Sequence, residues 1–406
     1  MLSIYIVSLS IFLSVVLLLV FVLLLVEAAV VQKGDRKIII NEDADKSIRV
    51  PSGATLLAAL TANSIYLPSA CGGKGSCAMC KCNIDEGGRG VLPTELGHLT
   101  RTEKLENVRL SCQVKVKEDM KIRIPPEIFS IKKYNATVVS NENAATFIKE
   151  LVLELEAGER IDFESGQYIQ IDIPEYELDY GKIEVLARFR STWDRFGLWG
   201  LNAQAEEPVY RAYSMANTPE EDVLRFTIRI ATPPPDADVP PGIASSFLFG
   251  LKPGDKLTLS GPYGDFLIKD TDREMCFIGG GAGMAPMRSH IFTQLLIEKT
   301  SRRMTFWYGA RSKQEMFFDD EFLELDKNHD NFSYHVALSE PQPEDHWEGF
   351  TGFIHQAALD NYLSTHEDPT EIEYYLCGPP MMIRAVKIVL DGLGVEPEMI
   401  AFDDFG

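Results

Sequence analysis

The sequence predicts a chain of four parts: a membrane-spanning helix, a small mixed β domain, an antiparallel β-barrel and a parallel α/β domain. Three observations predict it. Residues 2–26 hold twenty Leu, Ile, Val or Phe among 25 positions and no charge. Four cysteines, Cys71, Cys77, Cys80 and Cys112, are separated by five, two and thirty-one residues. The hydrophobic pattern then changes, from period-two alternation over 131–270 to buried strand runs alternating with helices after Met275. With 406 residues the chain is too long for a single core.

The apolar run comes first. At about −0.3 to −0.6 kcal/mol per residue, its twenty apolar side chains favour insertion by roughly 6–12 kcal/mol as an upper bound. As a helix it would be about 37 Å long, enough for a hydrocarbon core of about 30 Å with some tilt. A cleaved signal peptide is the competing reading. That needs a basic leader and a short apolar core, and this run has neither. Lys33, Arg36 and Lys37 follow it and nothing basic precedes it. The charge bias predicts a single-pass anchor with the bulk of the protein in the cytoplasm.

Residues 33–127 form the cysteine-bearing domain. Lys37–Ile40 and Ser47–Val50 read as paired strands, 55–62 as a helix, Cys80–Ile84 as a strand, and 109–116 as a strand carrying Cys112. Three clustered thiolates and one remote one are the pattern that holds a [2Fe-2S] cluster. The small residues of Cys71-Gly-Gly-Lys-Gly-Ser-Cys77 let the backbone wrap closely and point N–H groups at cluster sulfur. A zinc site would show two short pairs, whereas this chain has one pair and two singles. Disulfides would leave the glycine loop unexplained, and the seven cysteines are an odd number. Mixed strands around one helix with this loop read as a β-grasp ferredoxin, its cluster ligated by Cys71, Cys77, Cys80 and Cys112.

Residues 130–270 are strand-rich with Gly and Pro turns, the mark of a small antiparallel barrel. A charged and aromatic segment, 175–209, interrupts it as an insertion of unassigned purpose. Arg211-Ala-Tyr-Ser214 is the most informative run of the barrel. Arg suits a phosphate, Tyr can lie along an aromatic ring, and the Ser hydroxyl can bond a heteroatom. The same residues also suit an ordinary exposed strand. Gly242-Ile-Ala-Ser-Ser246 offers glycine and hydroxyls at a helix start, where anions bind.

Residues 271–406 alternate β and α. In Phe277-Ile-Gly-Gly-Gly-Ala-Gly-Met-Ala-Pro286 the glycines stand where backbone must approach a pyrophosphate at a helix N-terminus. A plain strand–helix turn would read the same. Cys377-Gly-Pro-Pro380 ends a later strand, so two strand C-termini converge where such sheets bind ligands. Cys377 itself reads equally as a contact to a bound ring or as a buried thiol. Arg311 and Lys313 leave NADH and NADPH undistinguished by spacing. Asp403 and Asp404 read mainly as solvated tail charge. Net charge of −21 argues against nucleic acid as a partner.

Arg211-Ala-Tyr-Ser-Met-Ala-Asn217, the Gly242 turn, Gly280-Gly-Ala-Gly-Met-Ala-Pro286, Cys377-Gly-Pro-Pro380 and the terminal Asp403-Asp-Phe-Gly406 resemble, in this order, the ferredoxin–NADP reductase superfamily. With the ferredoxin domain and the anchor, the chain is similar to NADH-oxidising subunits of sodium-translocating respiratory complexes. The resemblance implies that Arg211, Tyr213, Ser214, Gly242, Ser245 and Ser246 hold FAD. NADH would sit on Gly280, Gly281, Gly283, Cys377, Gly378 and Pro379. Phe405 would stack on the flavin ring and swing aside for nicotinamide, while Ser214 and Cys377 stand at the reacting edge. It implies hydride transfer from NADH to FAD, single electrons through the cluster, integral membrane partner subunits, quinone as final acceptor and a bacterial inner-membrane location. An oxygenase reductase can share the last three domains but has no use for an anchor. A non-enzymatic carrier has no use for intact nucleotide turns.

Overall fold

The computed structural model describes residues 2–30, 34–234 and 237–404. It divides into two compact units, residues 1–67 with 73–130, and residues 68–72 with 131–406.

The first unit opens with α1 (Leu2–Val30), a continuous helix of 29 residues. Among the described residues no helix is long and apolar enough to cross a membrane. Side chains of α1 are described only over residues 8–22, all exposed, which is shorter than the roughly 20 residues a crossing needs. The remainder of the expected 2–26 span lies outside the described side chains.

The globular part is a five-stranded sheet of β1 (Asp35–Ile40), β2 (Asp43–Pro51), β3 (Lys81–Glu86), β4 (Val108–Leu110) and β5 (Met120–Arg123). The order is β2-β1-β5-β3-β4, with β1 parallel to β5 and the other neighbours antiparallel. Period-two alternation buries Ile38 and Ile40 of β1. Helix α2 (Leu56–Thr61) starts where Thr55 accepts the Ala58 amide at 3.2 Å and buries Leu56, Leu57, Ala59 and Leu60. Each fully buried leucine among them contributes about 1.5–3 kcal/mol. Pro93–Glu95 form a 3-10 turn, followed by α3 (Arg101–Leu105).

The strand expected over 109–116 stops at Leu110. Ser111 N–H donates to Cys80 O at 2.9 Å and Gln113 N–H back to Leu110 O at 2.8 Å, so Cys112 lies in a turn rather than on a ladder. Glu95 fixes that turn's approach. Its buried carboxylate accepts from Arg109 Nη2 at 2.6 Å and from the Leu92 and Leu110 amides at 2.8 and 2.9 Å. Burial alone would raise its pKa, but these donors outweigh it and hold the carboxyl below its usual range.

The second unit joins a barrel to an α/β sheet. The barrel strands are β6 (Lys132–Ala145), β7 (Ile148–Leu155), β8 (Tyr168–Ile173), β11 (Val209–Ser214), β12 (Leu224–Arg229) and β13 (Lys256–Tyr263). They are antiparallel throughout in the order β11-β8-β13-β6-β7-β12. Just past β11, Ala216 N–H donates to Arg225 O on β12 at 2.8 Å, so the two ends of the order meet. Inward residues such as Val138, Leu151, Ile171, Phe226 and Leu259 fill it, with Leu248 of α5 (Ile243–Gly250) among them. The 175–209 interruption folds as a separate hairpin of β9 (Tyr176–Asp179) and β10 (Asn202–Ala205) around α4 (Ala187–Arg195), with its own cluster of Tyr180, Phe189 and Trp193.

The α/β part has β14 (Met275–Gly280), β15 (Met304–Ala310), β16 (Phe332–Leu338), β17 (Phe350–Thr351), β18 (Glu373–Gly378) and β19 (Ile400–Asp404), parallel throughout in the order β17-β16-β15-β14-β18-β19. Helices α6 (Met284–Phe292), α7 (Asp319–Asn328), α8 (Ile354–Asn361) and α9 (Pro380–Gly392) cover it. Burial on both faces explains the unbroken apolar runs Met275–Ile278 and Tyr374–Leu376.

Candidate functional site

The glycine turn after β14 and the Cys-Gly-Pro turn after β18 meet backbone to backbone. Gly279 pairs with Cys377 in the parallel ladder. A Cβ on Gly283 would stand 2.2 Å from Cys377 O and 2.6 Å from Gly378 N, and one on Gly378 would stand 2.9 Å from Gly280 O. Gly281 has φ +56° and Gly378 φ +155°, a region that favours glycine. The first turn of α6, with Gly283 at its N-cap, therefore opens beside a second strand end, the place where parallel sheets receive phosphates.

Helix α6 also carries the links to the barrel. Arg288, nearly buried, donates from Nη1 to Ala216 O at 2.9 Å and to Glu221 Oε1 at 3.1 Å, and from Nη2 to Glu321 Oε2 at 2.8 Å. Ser289 Oγ donates to Asn217 O at 2.7 Å, and Thr227 Oγ1 to Ala282 O at 2.8 Å. Two carboxylates and a carbonyl satisfy the buried guanidinium, the condition for burying such a charge without a large penalty. The run Arg211-Ala-Tyr-Ser-Met-Ala-Asn217 and the run Gly280–Arg288 are thereby held in one register.

At that junction Ser214 Oγ donates to Asp403 Oδ2 at 2.9 Å. Asp403 pairs with Cys377 across β18 and β19, so Ser214, Asp403 and Cys377 come together although Asp403 lies 189 residues and Cys377 163 residues beyond Ser214 in sequence. The solvated tail charge expected of Asp403 is corrected here, since its carboxylate is half-buried and hydrogen-bonded. Cys377 is fully buried within the core of the sheet. Phe405 lies outside the described residues.

On the barrel, Arg211 is half-buried and donates from Nη1 to Tyr210 O at 2.7 Å. Among the described residues no carboxylate forms an ion pair with it, which suits a guanidinium placed for an anion. Tyr213 is half-buried, and burial pushes its phenol up, keeping it neutral. Gly242 caps α5, leaving the first-turn amides of Ile243, Ala244 and Ser245 without intrahelical acceptors. Ser245 Oγ accepts from Ala231 N–H at 3.1 Å, and the fully buried Ser246 donates to Gly242 O at 2.6 Å. What this turn offers a ligand is its amides, since both hydroxyls are engaged within the protein. Donors, an unpaired cation and a serine edge fit a dinucleotide with a diphosphate and a polar ring.

In the first unit Gly73, Gly75 and Ala78 have positive φ between +57° and +84°. A Cβ on Gly73 would lie 4.0 Å from Cys112 Cβ, and Gln113 Nε2 approaches Cys112 Sγ to 3.5 Å. Cys80 and Cys112 are buried, and the hydrogen bond between their thiols, followed by burial, pushes the Cys80 thiol far up. Cys77 is half-exposed, as is Cys71, which falls in the 68–72 segment. Among the described residues no cysteine forms a disulfide. Among the described residues no group of three or more His, Cys, Asp or Glu is close enough to hold a metal ion. A two-iron cluster takes its sulfurs in two pairs, one per iron, and a glycine-wrapped thiol set fits that demand. Cys82 and Cys276 are buried on strands, and burial pushes each thiol up to about 12.

Family models bear on the same segments. The 2Fe-2S iron-sulfur cluster binding domain matches residues 39–117, the oxidoreductase FAD-binding domain 200–268, and the oxidoreductase NAD-binding domain 277–387. A ferredoxin reductase in carbazole 1,9a-dioxygenase is 27% identical with a TM-score of 0.60, covering 92% of this chain and 99% of its own. An Amycolatopsis cytochrome P450 reductase is 24% identical with a TM-score of 0.64, covering 91% and 98%, and shares the fold. Fold and site thus define a flavin- and pyridine-nucleotide-binding oxidoreductase with a 2Fe-2S domain. The F component of the Na(+)-translocating NADH-quinone reductase from Pseudomonas aeruginosa is 52% identical over 400 residues, 98% of either chain. Its counterpart from Mannheimia succiniciproducens is 50% identical over 404 residues, 99% of either chain. The chain belongs to this family of Na(+)-translocating NADH-quinone reductase F components.

Proposed function

We propose that the chain is the NADH-oxidising subunit of a sodium-translocating NADH:quinone reductase, anchored in a bacterial inner membrane by residues 2–26 with its other domains in the cytoplasm. It would pass electrons to integral membrane subunits and, through them, to quinone. One observation carries the reading: α6 holds the Gly280–Gly283 and Cys377–Gly378 turns against the barrel run through Ser214, whose hydroxyl bonds Asp403 of β19. When bound, the flavin takes two electrons as one hydride and passes them on one at a time, which joins a two-electron donor to a one-electron iron acceptor.

The chain's own residues supply placement. Arg211 and the α5 amides would hold the FAD phosphates, and Tyr213 would lie along the ring. Ser214, fixed by Asp403, would offer its hydroxyl to the ring edge. The amides of the Gly280–Gly283 turn would seat the NADH diphosphate, with Gly378 and Pro379 shaping the nicotinamide end. Cys71, Cys77, Cys80 and Cys112 would ligate the cluster. Phe405 would cover the ring. No acid–base catalyst is needed, since hydride moves without a proton.

The 27% identical dioxygenase reductase shares the architecture over 92% of this chain, so the anchor and the complex separate the two readings. Anaerobic NADH titration of the purified chain should bleach flavin absorbance and yield a reduced-cluster electron paramagnetic resonance signal. Purification from membranes should bring integral membrane subunits with it. Recovery with an oxygenase alone would overturn the assignment.

A further inference from the structure

The 175–209 insertion meets the barrel through Leu186 N–H to Asn143 Oδ1 at 3.1 Å, Trp193 Nε1 to Thr146 O at 3.0 Å and a Glu184–Lys252 ion pair, and it reaches α5 with two phenols. Tyr176 Oη donates to Ile243 O at 2.5 Å, and Tyr180 Oη lies 2.7 Å from Ser246 Oγ. Ser246 already spends its proton on Gly242 O, which leaves Tyr180 as the donor. Gly242 is the N-cap of α5. Its carbonyl also receives Ser246 N–H at 3.0 Å, and its amide donates to Ala231 O at 2.8 Å.

Apolar contacts reach α5 as well. The Tyr176 ring lies 5.1 Å from Phe247, and the Trp193 ring 5.9 Å from Phe249 in a stacked arrangement. Leu178 comes so close to Gly250 that a Cβ there would stand 3.0 Å from it. From the barrel side, Lys149 Nζ donates to Phe249 O at 2.9 Å, and Asn141 Nδ2 to Leu248 O and Leu251 O at 2.9 Å each. Both ends of an eight-residue helix are thus tied down, and its first turn is tied by hydroxyls that reach it from the hairpin. Two neutral phenols at bonding distance are economical donors for this purpose, because burial raises both their pKa values.

We propose that the insertion is a brace that holds the first turn of α5 in the position where its amides grip the FAD diphosphate, with Tyr176 and Tyr180 as positioning residues acting through Ile243 and Ser246. This rests on the reading of that turn as the diphosphate seat. The brace gives the hairpin a task within the chain itself, independent of any partner subunit.

The test uses the full-length chain, deflavinated and titrated with FAD by fluorescence quenching. Tyr180→Phe should raise the FAD Kd about fivefold, the equivalent of about 1 kcal/mol at 1.4 kcal/mol per decade. The Tyr176→Phe/Tyr180→Phe double variant should raise it about 25-fold. In a Ser246→Ala background Tyr180→Phe should add nothing, because its acceptor is gone. With FAD saturating, kcat and the KM for NADH should return to wild-type values, a recovery that general loosening of the fold would not permit. An FAD Kd within twofold of wild type in the double variant, even with a lower Tm, would reduce the insertion to surface cover. Arg211→Ala and Gly242→Ala separate the two levels. If both leave FAD affinity unchanged, the seat is misassigned and the brace falls with it. If both weaken FAD while the tyrosine variants do not, only the brace is refuted.

Discussion

Replacing Gly283 by alanine isolates the junction of the two nucleotide turns. Gly283 has φ −61°, so alanine can adopt its backbone conformation and any effect is steric. The new Cβ would lie 2.2 Å from Cys377 O and 2.3 Å from its carbonyl carbon, where contacts below 3.0 Å essentially never occur. The neighbour is backbone in a buried parallel ladder, so no side chain can swing aside. The two turns must separate by at least about 0.8 Å. Overpacking of this kind costs about 1–3 kcal/mol, which lowers Tm without unfolding a domain of this size. A displacement near 1 Å can cost about 10²-fold in rate when it misplaces reacting groups. Stopped-flow reduction of bound flavin by NADH should therefore slow about 100-fold in Gly283→Ala, while dithionite reduces the same flavin normally. Gly392→Ala, with no atom within 4 Å of its Cβ position, serves as the neutral comparison. Flavin reduction by NADH within twofold of wild type in Gly283→Ala would refute the placement of nicotinamide at this junction.

Three further outcomes follow from named contacts. Ser214→Ala removes the donor to Asp403 and the hydroxyl nearest the expected ring edge; NADH-dependent flavin reduction should fall about 10²-fold, with FAD still bound, and an unchanged rate would exclude a role at the ring. Cys112→Ala should abolish the cluster's visible absorbance and electron paramagnetic resonance signal while NADH still bleaches the flavin; full iron and sulfide content would show that Cys112 is not a ligand. His290 is fully buried against Phe266, Phe277 and Tyr375, and burial lowers its pKa from 6.5 to about 3. Its folded pKa lies below the unfolded one, so the unfolded state binds the extra proton first. Stability is whole above pH 6.5 and falls towards pH 3, by up to about 5 kcal/mol. Urea melts should show the wild-type advantage over His290→Leu shrinking by about 1.4 kcal/mol per pH unit below 6.5, and parallel curves would contradict it.

The barrel and the parallel sheet were legible because both announce themselves through hydrophobic period. The alternation in Ile169-Gln-Ile171 buries its isoleucines in the barrel, and the unbroken Met275–Ile278 run is buried between helices. The glycine turns were legible for a steric reason: only a residue without Cβ fits at Gly283 and Gly378. Other features carry no local signature. Asp403 gains its partner from β11, and Tyr180 gains its own from α5, each contact closing a gap of 66 residues or more. Long-range hydrogen bonds between single polar residues leave no periodic trace. The strand expected through Cys112 failed because Val114 and Val116 alternate as a strand would, yet the Gln113 N–H to Leu110 O bond turns the chain first. The insertion was visible only as an interruption of pattern, since its aromatic residues fill a cluster that the hairpin, α4 and Phe249 of α5 create together.

The links along α6 constrain how the flavin site can open. Arg288 joins α6 to Ala216 O and Glu221 on the barrel side and to Glu321 on α7, with its guanidinium 4.3 Å from the Phe292 ring centroid. Opening the barrel away from the sheet would strip this buried cation of partners on one side. Removing one partner of a buried pair costs about 3–5 kcal/mol, and the Ser289 and Thr227 hydrogen bonds would be lost as well. A hinge at this contact is therefore a poor route for admitting nicotinamide. Ser214–Asp403 is a single hydrogen bond between side chains, worth about 1.5–3 kcal/mol with a charged acceptor. It lies on the last described strand, so parting this bond costs less than parting the α6 contact. Glu221→Gln should then weaken the junction and lower Tm without speeding NADH entry. Faster flavin reduction in that variant would place the gate at the α6 contact instead.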